Sequence, residues 1–465
     1  MDKKKKIIKS FDFSKTNGVK TLLGDPRKAI IKLSIPMIIG MSLLTLYYLV
    51  DAFWVSGLGA DAVAATGFVF PFFFLLMAIS NGLGVGAGAA ISRRIGAKDK
   101  KGADNVVTHT LILLLILSIS LSILLFIFSE NILIFVGAGS TINMAVSYGQ
   151  IIFAGSIFIF FTNIANAILR GEGDAKRAMY VILLGSLLNI VLDPIFIYSL
   201  NMGVAGAAFA TILSMAVSAL LMLYWFSFKK DTFTSFKIER FQYDKSIIKE
   251  IFSIGFPASM VMLSMSITQI MLNYLIATMI NLDGVAVYNL GWRIASMAVL
   301  PIVGIATAVV SITGAAIGEK LYLKASDAHL LALKYGIVVE SIIAFFTFVF
   351  APQIAAIFTY SELSAQLAPD LILFLRIMSL SYPIQAFGII SSSMFQGAGK
   401  GFPALTVTVL RAIILTPILG VLFSDYFSLN LTGFWWGIVG ANVIGPAIAF
   451  TWARIYLKKL RSDLL

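Results

Sequence analysis

Long apolar runs divided by short polar breaks dominate this chain. Reading from break to break gives twelve candidate spans, at 29–56, 62–92, 105–128, 142–169, 178–199, 204–227, 251–280, 285–317, 329–350, 369–396, 402–424 and 433–456. A helix needs roughly 20 apolar residues to cross the hydrocarbon of a bilayer. Every run meets that length, and the longer ones predict tilt or emergent ends. The breaks alternate in charge. One set is basic: Arg93, Arg94, Lys98, Lys100 and Lys101 after span 2, Lys176 and Arg177 after span 4, and Lys229, Lys230, Lys237, Arg240 and Lys245 after span 6. Lys320 and Lys324 follow span 8, Lys400 follows span 10, and Lys458, Lys459 and Arg461 close the chain. The other set holds Asp61, Glu130, Asp283, Glu362 and Asp425, without Lys or Arg. This positive-inside alternation predicts an all-α integral protein of the plasma membrane with both termini in the cytoplasm. It also requires an even number of spans.

The two halves read as copies. Ser34-Ile35-Pro36 opens span 1 and Gly255-Phe256-Pro257 opens span 7. Gly88-Ala89-Ala90-Ile91 leads to Gly96, and Gly314-Ala315-Ala316-Ile317 leads to Gly318. Leu169-Arg170-Gly171-Glu172-Gly173 ends span 4, and Phe395-Gln396-Gly397-Ala398-Gly399 ends span 10. Pro36 and Pro257, Gly96 and Gly318, and Gly171 and Gly397 lie 221, 222 and 226 residues apart. Near-constant spacing points to a duplicated six-span unit with both copies inserted in one orientation. Parallel repeats of this kind place a transport site at their interface near midplane. The expected organisation is a basic cytoplasmic tail (1–28), a six-helix bundle (29–227), a cytoplasmic linker (228–248) long enough to let the halves move, a second bundle (249–457) and a short tail (458–465).

Composition narrows the function classes. The chain is 59% hydrophobic and 12% charged, where soluble domains are about 25% charged. Its formal charge of +12 sits in the loops and tail, so it reads as an orientation signal rather than a nucleic-acid surface, with contact between the basic tail and anionic lipids as the alternative. Cysteine is absent, which excludes disulfides and thiolate metal sites. Gly82, Gly84, Gly86 and Gly88 lack the preceding strand and the GK[ST] element of a phosphate loop and read as close helix packing. The two histidines, His109 and His329, stand near loop-facing ends. No HExxH motif or nucleophile–base set supports an enzyme, and a receptor or scaffold role leaves the acidic residues below unexplained.

Asp51 is the sole charge between Lys32 and Asp61, and Asp193 the sole charge between Arg177 and Lys229. A carboxylate at such depth is costly unless protonated, paired or hydrated, and marks an ion or proton path by default. Tyr47 shares a helix face with Asp51, and Asn189 shares one with Asp193. Asn163 and Asn166 in span 4, Thr211 in span 6 and Tyr148 near the start of span 4 also need polar partners. One shared cluster formed by spans 1, 4, 5 and 6 would satisfy them. An all-oxygen set of this kind suits a sodium ion, at Asp51, Asn189, Asp193 and Thr211, or a proton shared by the carboxyls. Pro194 has no N–H and predicts a local break beside Asp193. Phe68, Phe73, Met260, Met262, Met265 and Gln269, with Tyr47 and Tyr148, are candidates for an adaptable substrate cavity. Glu340 in span 9 is a candidate second proton site. Arg293 and Arg376 are isolated charges expected to snorkel or to pair across helices.

Two six-span repeats, the run Tyr47-Tyr48-Leu49-Val50-Asp51, the segment Leu169-Arg170-Gly171-Glu172-Gly173-Asp174 and Asn189-Ile190-Val191-Leu192-Asp193-Pro194 resemble the multidrug and toxic compound extrusion (MATE) family, nearest its DinF-like and archaeal branch. The resemblance implies two bundles in a V around a central cavity. It implies efflux of amphipathic, often cationic drugs in exchange for protons or sodium ions, by a protein expected to act as a monomer without an organic cofactor. It implies ion coupling at Asp51, Asn189 and Asp193, with Thr211, Asn163 and Asn166 as neighbours. The NorM-like branch carries acidic residues in spans 7 and 8; this chain has none inside those spans, so no second cation site of that type is expected. The alternative is a lipid-linked oligosaccharide or lipid flippase of the same superfamily, which would turn cationic residues, Arg293 and Arg376 here, toward its cavity.

Overall fold

A computed structural model describes residues 16–229, 231–236, 241–359 and 365–462. Lys3, Lys4, Lys5, Lys6, Lys9 and Lys15 of the tail, Lys230, Lys237 and Arg240 of the linker, and Glu362 lie outside the described residues. Among those described, all regular structure is helical. Ten helices are each long and apolar enough to cross a membrane, and two bent pairs bring the number to twelve.

The spans of the first half are Pro26–Ser56, Ala60–Gly96, Lys100–Ile127, the pair Gly139–Ala154 and Ser156–Gly171, Ala175–Ser199 and Gly203–Lys229. Those of the second half are Lys245–Met279, Leu282–Ala298 with Leu300–Gly318, Tyr322–Val349, the pair Ala368–Ser379 and Tyr382–Gly397, Gly401–Tyr426 and Asn430–Ser462. Spans 4 and 10 bend by 48° and 53° at equivalent breaks. Span 8, expected as one run, is interrupted at Val299, just before Pro301 at the start of its second helix. The helix starts on the basic side are locally encoded. Asp25, Asp99, Asp174 and Asp244 accept backbone N–H bonds from Arg27, Gly102, Arg177 and Ser246, which satisfies orphan donors at the positive helix end.

The halves meet on that same side. Span 2 packs on span 7, and the second helix of span 8 packs on spans 1 and 2. Glycine makes this approach feasible: a Cβ on Gly96 would lie 1.9 Å from the Ala315 carbonyl oxygen, and one on Gly318 would lie 2.0 Å from that of Arg93. Arg93 and Arg94 of span 2 both bind Glu250 at the start of span 7, at 2.8 and 3.0 Å. The segment read as a polar tail contributes a short helix, Asn17–Leu23, with Val19 and Leu22 fully buried. Lys324 donates to the Leu23 carbonyl at 2.9 Å, tying this helix to the second half.

The linker is docked on the first half. Glu172, buried just beyond span 4, accepts the backbone N–H groups of Phe233 and Thr234 and the Thr234 hydroxyl. Burial pushes its carboxyl up to about 7, against the pull of those bonds. Nearby, Asp104 accepts from Ser235, and His109 accepts the Asp244 N–H at 2.9 Å.

Candidate functional site

The two isolated aspartates come together. The carboxyl of Asp51 in span 1 lies within hydrogen-bonding reach of that of Asp193 in span 5. Two carboxylates have no donor between them, so this contact becomes a hydrogen bond only when one carries a proton. Asn189 also stands beside Asp193, but neither Asp51 Oδ1 nor either Asp193 oxygen makes a fully formed hydrogen bond among the described residues. Asp193 is fully buried and Asn189 nearly so. Asn189 donates to the Thr211 hydroxyl at 3.3 Å, and its own side-chain oxygen is free. Tyr47 and Tyr148 stand beside the acid pair. The helix continues through Pro194 and widens into a π-type turn, Ile195–Ser199, immediately after Asp193. Wide turns of this sort cluster at functional sites.

Asn163 and Asn166 lie elsewhere. Asn163 donates to the Ser80 hydroxyl at 3.0 Å and faces Met77. Asn166 donates to the Ala178 carbonyl and accepts from Arg170. The one cluster expected of spans 1, 4, 5 and 6 is therefore divided. The acids, Asn189 and Thr211 form one polar group, while the span 4 asparagines bond elsewhere on the wall of the central cavity that this group borders. The sequence spacing gave their helix face but not the neighbour that face would meet.

That cavity, of about 750 Å³, lies between the halves. Tyr47, Asn189 and Thr211 are in its wall, so the acid cluster borders it. Of the cavity candidates, Met265 and Met262 line it, with Met37, Met41, Met77 and Met215. Phe68, Phe73, Tyr148, Met260 and Gln269 are not wall residues: Phe68 and Phe73 pack on the first-half core and Gln269 bonds Asn289. The charged residues of the wall are Arg170 and Arg411. Arg411 was not singled out from the sequence, yet it is the sole charge between Lys400 and Asp425, the same signal that marked Asp51. Arg293 and Arg376 do not face the cavity: both are exposed, with Arg376 over the Phe348 ring. Glu340 is fully buried in the second half, with neither carboxyl oxygen hydrogen-bonded among the described residues.

The model of the MatE family matches the chain twice, over residues 36–195 and 257–422, once in each half. The chain belongs to this family of MATE transporters. It is a multi-pass membrane transporter and not an enzyme. Among its relatives are the multidrug export proteins MepA of Staphylococcus haemolyticus, 28% identical over 91% of this chain and 92% of that protein, and of Staphylococcus aureus, 27% identical over 94% and 95%. Solved MATE structures share the fold. One from Pyrococcus furiosus, a superfamily transporter described as having a binding pocket of reverse polarity, is 45% identical with a TM-score of 0.93 over 96% of this chain and 99% of that one. Another, described as the outward-facing conformation of a multidrug resistance MATE transporter, aligns with the same identity, coverage and score. The twelve-helix V of this family is the architecture described above.

Proposed function

We propose that this MATE protein exports amphipathic organic compounds, drugs among them, in exchange for protons or sodium ions. The central cavity takes the substrate, and Asp51 and Asp193, with Asn189 and Thr211 beside them, take the coupling ion. The observation that carries this reading is the pair of facing carboxyl groups, three of whose four oxygens make no fully formed hydrogen bond among the described residues. Two ionised carboxylates repel each other strongly at such range, and a proton or a small cation between them removes the repulsion. Because Asn189, Thr211 and Tyr47 belong both to this cluster and to the cavity wall, occupancy of the acids alters the surface the substrate meets. Antiport then requires only that ion and substrate favour different conformations. One charge moving across 100 mV supplies about 2.3 kcal/mol.

The basic side on which the halves are joined is the cytoplasmic side in this reading, with both termini there, in the plasma membrane, and the protein working as a monomer among lipids. The conformation described is then closed to the cytoplasm. The flippase alternative draws on one observation, the two arginines of the cavity wall, in place of Arg293 and Arg376. Reconstitution into liposomes under a pH gradient alone, and then a sodium gradient alone, tests the exchange. Uphill export under at least one gradient is expected; equal export with neither would end the antiport reading.

A further inference from the structure

The short helix Asn17–Leu23 is completed by the half it does not belong to. Gly24 and Asp25 alone separate it from span 1. Its start is local: the Thr16 hydroxyl accepts the Val19 N–H at 3.4 Å, and the Thr21 hydroxyl donates to the Asn17 carbonyl at 2.7 Å. Its seat on the first half is the turn after span 4, where Gly18 and Gly173 meet backbone to backbone. A Cβ on Gly18 would lie 2.5 Å from the Glu172 carbonyl oxygen. One on Gly173 would lie 2.6 Å from the Gly18 carbonyl oxygen and 2.8 Å from the Leu22 side chain.

The end of the helix is not local. The last carbonyls of a helix have no partner within it. That of Leu23 is taken by Lys324 Nζ, from the first turn of span 9, at 2.9 Å. A cation there also suits the negative end of the helix. Glu319, just beyond span 8, holds Lys324 in place at 3.0 Å. The helix packs on the second helix of span 8, and its Val19 and Leu22 are fully buried. Seven residues cannot sustain a helix unaided, since isolated helices shorter than about 12–15 residues are marginal in water. This one is stable only where it is packed and capped. The turn after span 4 is on the first half, while span 8 and Lys324 are on the second.

We propose that Asn17–Leu23 is a folding latch on the basic face: it is whole only while the two halves are together there, it holds that face shut, and it comes undone when the face opens. The proposal goes beyond the export reading and rests on it only for the premise that this face opens in turn. Opening draws Lys324 and span 8 away from the turn after span 4, so the helix loses its cap and half of its packing at once. Closing must refold it, which couples the order of the segment ahead of span 1 to the position of the halves.

The test uses the full chain in nanodiscs with neither substrate nor gradient, so its failure is separate from failure of export. Spin labels at Lys98→Cys and Lys320→Cys report the separation of the halves by double electron–electron resonance, in the native background and with Glu250→Gln, which loosens a second tie on the same face. Leu22→Ala, which removes buried packing, and Lys324→Gln, which removes the cap without touching the helix, should each lower the ratio of closed to open forms about tenfold. Leu22→Met, which conserves volume, should leave the distances as they are. Val19→Cys supplies the second readout, because the chain has no other cysteine. Its buried thiol should react slowly with a water-soluble maleimide and about tenfold faster with Lys324→Gln. Unchanged distances with Leu22→Ala and Lys324→Gln in both backgrounds would overturn the latch. So would a longer distance population in which the Val19→Cys thiol stays as slow as before, since the helix would then remain docked through opening.

Discussion

Loss of Glu250 should open the basic face of the protein. Arg93 donates to one oxygen of Glu250 through Nε and Nη2 at 3.1 and 2.8 Å, and Arg94 to the other at 3.0 Å. Arg93 also donates to the Gly397 carbonyl at 3.0 Å. These bonds join span 2 to spans 7 and 10, so they exist only while the halves are closed on this side. A hydrogen bond to a charged group contributes about 1.5–3 kcal/mol. The Arg94 and Glu250 side chains are 29% and 22% exposed, so solvent screening cuts their share. Glu250→Gln removes the charge while keeping shape, and a net loss of roughly 2 kcal/mol is a reasonable sum, or about thirtyfold in the ratio of closed to open forms. The native chain has no cysteine, so spin labels at Lys98→Cys and Lys320→Cys, in the loops after spans 2 and 8, report separation without background. The variant should show a new, longer distance population. An unchanged distribution would refute the reasoning that this triad holds the face shut.

Three further outcomes follow from the same geometry. Gly96→Ala and Gly318→Ala place a methyl within 1.9 and 2.0 Å of backbone oxygens across the interface, so each should lengthen the same label distance even with Glu250 intact. Glu172 has a folded pKa raised to about 7, so the folded state binds more protons than the unfolded chain below that value. Stability should therefore fall as pH rises through roughly 4.5–7 and level off above, and Glu172→Gln should flatten that slope in thermal melts. Arg293→Gln and Arg376→Gln, at exposed sites away from the cavity, should leave substrate binding within about twofold of the native value, as titration with a fluorescent amphiphile would show.

Much of this was legible in the residues. Hydropathy located every span because uncharged runs of that length have few other uses. The breaks at Gly155, Val299 and Leu380–Ser381 are marked locally, by Gly155 itself and by Pro301 and Pro383 in the first turns of the helices that follow, but hydropathy averaged over a whole run hides such short signals. Asp51 and Asp193 were legible because each is alone in an apolar run. Arg411 carries the same mark, alone between Lys400 and Asp425, whereas Arg170 sits at the end of its run, where its charge looks like part of a basic loop. Asn163 and Asn166 show the complementary limit: helical spacing gives a face, and only packing decides whether it meets the acids, the neighbouring spans or the cavity. The linker looked loose because its charges suit water; its docking depends on Glu172 and Asp104, far away in sequence.

The central claim is that the acid pair converts an ion gradient into export. Its most direct measurement is uphill export from liposomes carrying Asp51→Asn or Asp193→Asn under the gradient that drives the native protein. The account predicts that both variants lose accumulation against a gradient. Undiminished uphill export by both would contradict it.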